Sequence, residues 1–303
     1  MTREAYEQIA GKVVPGSRLL RIWELEGGVS AQVTGLEIEK PDGQLKKLIV
    51  RRHGAADLAR NPHVAADEFH LLKRLHAAGL PVPEPYAADE SGGILPSPYV
   101  VIAFIEGRED FAPSDPEGCS MQLADHLAGI HQVDIDAYQL QFLPKQDEIY
   151  AGLVARRPVR LDKSLDEGRI RDSLERVWPL PRVNRIGLLH GDYWPGNILW
   201  KDGRLAAVID WEDAALGDPL ADFANAGLEI LFAFGEDAMT TFRRRYMSRM
   251  TALDYANLPY WELCAALRPA SKLSEWGLDA ETEKRMRERH KRFVNRIFDE
   301  LSR

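Results

Sequence analysis

Apolar and polar positions alternate along RLLRIWELEGG and VSAQVTGLEIEK, the signature of half-buried strands, and Gly27-Gly28 lies between them. Pro41-Asp42-Gly43 then turns the chain into KKLIVRRH, so an antiparallel meander is predicted. The period changes next. Val64, Phe69, Leu71, Leu72 and Leu75 form one helical stripe, with Asn61 as N-cap, Pro62 at the first helical position and Gly79 closing the end. PEPYAADES and PSPYVVIAFIEG read as two further strands, and the turn-rich REDFAPSDPEG after Gly107 marks a domain boundary. Beyond it SMQLADHLAGIHQV and much of 164–178 are helical, as is the chain from about Asp218 onward. LLHGDYWPGNILW and LAAVIDW interrupt that pattern, joined through a hairpin turn at Asp202-Gly203. The expected fold class is α+β, with an N-terminal domain over 1–106 and a C-terminal domain over 107–303. The first is a small antiparallel β lobe of five strands with one key helix, and the second is larger and mainly helical.

One position breaks the helical stripe. Glu68 falls in the middle of the apolar face, and a charge facing inward is rare unless paired. Arg51, at the end of the LIVR run, is the obvious partner. Arg52 points to the other face of its strand, and Asp67 lies off the stripe and is read as solvated. Such a pair serves either as a structural salt bridge or as a strand-helix ion pair that positions nucleotide phosphates.

The length of 303 residues suits about two domains and a self-sufficient core. A net charge of -8 excludes a general nucleic-acid footprint and is compatible with a cationic substrate. The polar start MTREAYEQIA gives no leader signal, and no apolar run is long enough for a membrane span. Cys119 and Cys264 fit neither a metal spacing nor a disulfide framework, which points to reduced thiols and a cytoplasmic setting.

The candidate chemistry sits at His190, Asp192, Asn197 and Asp210, placed just outside short apolar runs. An unpaired carboxylate in a dry interior is costly, so these groups are expected at strand ends facing a cleft. Asp192 and Asn197 stand five apart, the spacing of a kinase catalytic loop, and Asp210 follows on the next strand-like run. Magnesium is a hard cation that takes oxygen ligands and one or two carboxylates beside substrate phosphates. An alcohol in a loose transition state needs only a positioned acceptor oxygen.

HGDYWPGNILW followed by VIDWEDAALGDPLAD resembles the aminoglycoside phosphotransferase and choline kinase superfamily, relatives of protein kinases. The resemblance is specific over residues 188–223. It implies a two-lobed protein-kinase-like fold and an ATP- and magnesium-dependent kinase acting on the hydroxyl of a small molecule. It also implies Asp192 as catalytic base, Asn197 and Asp210 as magnesium ligands, and His190 as a loop-shaping residue. Arg51 and Glu68 then serve the ATP phosphates, Gly28 and Ser30 offer backbone to them, and groups near Ala103 to Ile105 hold adenine. Asp222 would brace the catalytic loop through its backbone, Asp218 is read as an N-cap, and Glu212 is left between metal and substrate contact. The histidines His126, His131 and His290 are read as structural, the last on a solvated basic helix. The acceptor stays open: Glu262, Glu275, Trp261 and Trp276 suit either an amine pocket or ordinary core and surface. The alternative is a nucleotide-binding pseudokinase that regulates a protein partner. A hydrolase using Asp192 as nucleophile is disfavoured, because Trp194 occupies the place of a general acid.

Overall fold

A computed structural model describes residues 2–25, 31–270 and 272–302, and the expectations for Gly28 and Ser30 fall outside these. The chain divides into two compact units. The first comprises Met1–Gly107 together with Ala206–Glu212, and the second Arg108–Leu205 with Asp213–Arg303.

The first unit is built on a five-stranded antiparallel sheet in the order β1-β2-β3-β5-β4. It opens with a helix α1 (Arg3–Val13), followed by β1 (Arg18–Leu25), β2 (Ala31–Glu39) and β3 (Leu45–His53). The short helix α2 (Ala55–Arg60) and helix α3 (Val64–Ala77) precede β4 (Pro85–Asp89) and β5 (Tyr99–Ala103). Period-2 alternation sorts the sheet residues between its faces. Leu36, Ile38, Leu48, Val50, Tyr99 and Val101 form a core with Tyr6, Ile9 and Ala10 of α1. The opposite-phase residue Arg51 pairs in register with Val33 and Val100.

Two differences from the sequence expectation concern this unit. Among the described residues it carries three helices and not one: besides α2 and α3, helix α1 buries Tyr6, Ile9 and Ala10 and ties Tyr6 Oη to Thr34 Oγ1 at 3.1 Å. The expected N-cap Asn61 is instead the C-cap of α2, and α3 starts at Val64 behind His63. Asn61 closes a local turn, accepting from the His63 amide at 2.9 Å and donating to Asp67 at 2.7 Å. Asn side chains favour this local bonding over helix entry.

The second unit is mainly helical. It contains α4 (Pro116–His131), α5 (Gln146–Ala155), α6 (Glu167–Val177), α7 (Pro219–Phe234), α8 (Glu236–Arg249), α9 (Leu258–Leu267) and α10 (Ala280–Leu301). Among them lie β6 (Gly187–Leu189), β7 (Ile198–Lys201) and β9 (Ala215–Gly217), while β8 (Arg204–Val208) begins in this unit and its last three residues belong to the first. β6 pairs antiparallel with β9. β7 leads into β8 through Asp202 and Gly203, both at positive φ (51° and 73°), as the sequence predicts for a hairpin turn. Asp218 caps α7, accepting from Leu220 N at 3.0 Å with Pro219 in the first turn. His290 departs from its expected solvated setting. It is fully buried, with Nε2 2.9 Å from the Ala266 carbonyl, while Lys284, Arg285, Lys291 and Arg292 of α10 are exposed. Among the described residues, no helix is long and apolar enough to cross a membrane.

Candidate active site

The catalytic-loop candidates lie in the second unit, between β6 and β7. Gly191 takes φ 85°, and a Cβ there would stand 2.0 Å from the Asp213 carbonyl oxygen. Only glycine lets the loop pass so close. Gly191→Ala is therefore expected to lose about 1–3 kcal/mol from backbone strain alone, and more from the clash; denaturant titration beside wild type checks this. Trp194 lies over Gly196, where an added Cβ would fall 2.3 Å from the indole ring.

Asp222, buried on α7, holds the loop by its backbone. Its carboxylate accepts from His190 N at 2.6 Å and Gly191 N at 3.1 Å. Burial would push this carboxyl up, yet the His131 side chain and the hydrogen bond from the His190 amide bring it below its ordinary value. His190 is fully buried, packs edge-on against Tyr193 and accepts from the Asp192 amide at 3.3 Å. Tyr193 in turn donates to the Leu123 carbonyl at 3.0 Å. On this rigid frame the Asp192 side chain is 35% exposed.

Asn197 ends a single 3-10 turn and is buried. Its Nδ2 donates to the Asp192 carbonyl oxygen at 2.9 Å and lies 3.3 Å from Asp192 Oδ2. That orientation leaves the amide oxygen as the acceptor, the donor type a hard cation selects. Arg268, just past α9, bonds the other carboxylate oxygen of Asp192 at 2.7 Å and the Gly191 carbonyl at 2.8 Å. Glu229 on α7 is held up at about 7, by burial first and the Asp192 charge second, against the pull of Arg268. The sequence reading missed both residues. The one available signal for Arg268 is its place directly after the apolar run LCAAL, where a cation needs a partner.

The remaining candidates lie in the first unit. Arg51, only 8% exposed, donates to Glu68 at 2.8 Å as expected, and further to Asp210 at 2.5 Å and Glu212 at 2.6 Å. Burial would raise the Glu68 carboxyl, but Arg51 and His53 outweigh it and hold it down at about 2. His53 Nε2 lies 3.0 Å from Glu68. Asp210 adopts φ 65°, a left-handed conformation that Asp tolerates better than most residues and that often marks functional positions. Trp211 beside it is buried and donates to the Val208 carbonyl at 3.1 Å. The Ala103 amide donates to the Glu84 carbonyl at 2.8 Å, so its N–H is already committed; Ile105 lies beyond the strand. Glu262, one of the amine-pocket candidates, is buried and bonded to Arg243 and Arg296.

The sequence that builds this site matches the model of the phosphotransferase enzyme family over residues 22–261. The chain belongs to this family. Its two-lobed fold, a small antiparallel β lobe and a larger helical one, is that of the kinase-like aminoglycoside phosphotransferases. A structure of aminoglycoside 2'-phosphotransferase-IIIa bound to GDP is similar with a TM-score of 0.66 at 18% identity, covering 98% of this chain and 99% of that one. Macrolide 2'-phosphotransferase type I gives 0.64 at 19% identity, covering 97% and 98%. Among the sequence relatives of the chain, viomycin phosphotransferase of Streptomyces vinaceus is 27% identical over 68% of this chain and 76% of its own length. Acyl-CoA dehydrogenase family member 10 of Mus musculus is 26% identical over 68% of this chain, and member 11 of Gallus gallus 30% over 61%. The chain spans only 20% and 25% of the length of those two relatives.

Proposed function

We propose that this phosphotransferase is an ATP- and magnesium-dependent kinase that transfers the γ-phosphate to the hydroxyl of a small molecule, with Asp192 as the base. The observation that carries this reading is the partly exposed Asp192 carboxylate on a loop whose neighbours His190, Tyr193 and Asn197 are buried. A fixed acceptor oxygen open to solvent is what an incoming alcohol needs. The hydroxyl proton passes to Asp192 as the alcohol oxygen bonds to the γ-phosphorus, and ADP leaves with the electrons of the broken P–O bond. Asn197 and Asp210 fit magnesium by donor type, one amide oxygen and one carboxylate. Magnesium, when bound, offsets the charge of the phosphate oxygens. Arg51, oriented by Glu68, is assigned to the nucleotide phosphates, and Ile105 with the backbone beside Ala103 to adenine.

The relatives divide on the acceptor. One is named for an antibiotic, and others are long proteins named for acyl-CoA chemistry of which this chain matches a minor part. The test is ADP release from Mg-ATP across aminoglycosides, viomycin, a macrolide, amino alcohols and hydroxyacyl thioesters. Turnover that needs both magnesium and one of these alcohols supports the kinase. Firm nucleotide binding with no turnover across the panel favours the pseudokinase. Asp210→Ala is expected to abolish turnover and the magnesium dependence of ATP binding with the fold intact by circular dichroism. Undiminished magnesium dependence in that variant removes Asp210 from the role.

A further inference from the structure

Arg268 lies 76 residues beyond Asp192 in the chain, yet its guanidinium grips the catalytic loop at two points. Nη2 donates to Asp192 Oδ1 at 2.7 Å, and Nη1 donates to the Gly191 carbonyl at 2.8 Å. The planar guanidinium therefore ties a side-chain oxygen and a backbone oxygen of adjacent residues into one orientation, which a flexible ammonium would not do. The opposite oxygen, Oδ2, faces the Asn197 amide at 3.3 Å. The two carboxylate oxygens are thus unlike: among the described residues, Oδ1 is engaged by a cation and Oδ2 by a long neutral contact.

Arg268 is itself held from behind. Tyr150 interacts with it electrostatically, and the Tyr150 ring stands edge-on to Trp261 at 5.4 Å, with Trp178 edge-on to the same indole at 5.9 Å. Glu229 adds a second carboxyl near the guanidinium, but burial keeps it partly protonated at neutral pH, so it competes weakly with Asp192. A cation on this rigid aromatic backing is poorly placed to wander and well placed to orient.

We propose that Arg268 is a positioning residue for phosphoryl transfer: it fixes the Asp192 rotamer so that Oδ2, and not Oδ1, meets the acceptor hydroxyl. The inference rests on the kinase reading, in which the hydroxyl proton moves to Asp192 while the alcohol oxygen bonds to phosphorus and ADP departs. An oxygen whose lone pairs are taken by a guanidinium is the poorer proton acceptor, so the pairing selects the other one. A misplaced base costs rate and leaves nucleotide affinity unchanged, because the loss is in orientation.

The test uses the full chain, with Arg268→Ala and Arg268→Lys each made alone and with Asp192→Asn. ADP release from Mg-ATP is measured with water as acceptor and with the fastest alcohol of the panel, beside ATP affinity and melting temperature. Arg268→Ala is expected to lower kcat about 10- to 100-fold with the KM for ATP within about twofold. Arg268→Lys should recover part of the rate, since it restores the charge but not the fork. In the Asp192→Asn background the further loss from Arg268→Ala should be under about twofold, because there is no longer a base to orient. Equal losses in both backgrounds would overturn the inference, as would a change confined to ATP affinity. If Arg268→Ala fails to fold, full activity in a folded Arg268→Lys with normal affinity for ATP also overturns it, because a lone ammonium cannot hold both oxygens in one plane. Near-normal transfer by Asp192→Asn sinks the base assignment itself; an inactive Asp192→Asn beside an unimpaired Arg268→Ala sinks only the role of Arg268.

Discussion

Asp192→Asn is expected to lose about 100- to 10,000-fold in kcat, the range that a positioned acid-base group contributes. The substitution keeps the side-chain shape and leaves Asn197 and Asp210 untouched, so ATP-magnesium binding should survive. It also replaces the ion pair with Arg268 at 2.7 Å by a neutral contact. The loop itself should hold, because its anchors are elsewhere: Asp222 on the His190 and Gly191 amides, and Tyr193 on Leu123. Rate and binding are therefore expected to separate. Measuring ADP release beside nucleotide affinity checks this, and a variant that transfers phosphate at a near-normal rate would remove Asp192 as the base.

Arg51→Ala is expected to weaken nucleotide binding and to destabilise the first unit by about 3–5 kcal/mol, the cost of stranding a buried charge. Without the guanidinium, Glu68 keeps His53 at 3.0 Å, while Asp210 and Glu212 lose bonds of 2.5 and 2.6 Å. Glu68→Leu should cost less, since it removes the buried charge with its partner still served by two carboxylates. The double variant should fall well short of the sum, because the two residues share one interaction. Simple additivity in denaturant titrations would mean that the pair contributes no coupling. The same pair sets an acid limb. Glu68 is held at about 2 against an ordinary 4.5, so its ionisation stabilises the fold fully above about pH 4.5. That stabilisation, on the order of 3 kcal/mol, disappears as pH falls toward 2. Arg51→Ala should flatten this limb in melts run from pH 2 to 6.

The pairing of Arg51 with Glu68 was legible because Glu68 breaks an otherwise apolar stripe, a local signal 17 residues from its partner. The bonds from Arg51 to Asp210 and Glu212 were not, since they join positions 159 and 161 apart and neither carboxylate interrupts a pattern. The five strands showed through alternation and turn residues. Helix α1 carried a signal too, with Tyr6, Ile9, Ala10 and Val13 at helical spacing, but its polar majority hid a stripe that only the sheet explains. At Asn61 two local chemistries competed, helix capping and turn closure, and the sequence cannot weigh them. His290 shows the same limit: a basic surrounding sequence says nothing about which side of the helix one residue takes. In the site, His190, Asp192, Asn197 and the brace from Asp222 followed from spacing and resemblance. Arg268 and Glu229 did not, because only tertiary packing brings α7 and α9 to the loop.

The first unit returns to complete itself late in the chain. Residues 206–212 belong with 1–107, and they carry both further carboxylates of Arg51. During synthesis the sheet of β1 to β5 and helix α3 can therefore emerge with Arg51 supported by Glu68 alone among its three carboxylates. The buried guanidinium reaches its final partners only after residues 108–205, about half of the second unit, have left the ribosome. A nascent chain halted before residue 210 would hold a small unit whose buried arginine has one of its three carboxylate partners. The order of translation thus delays the last two partners of Arg51 until the segment that carries Asp192 is already made.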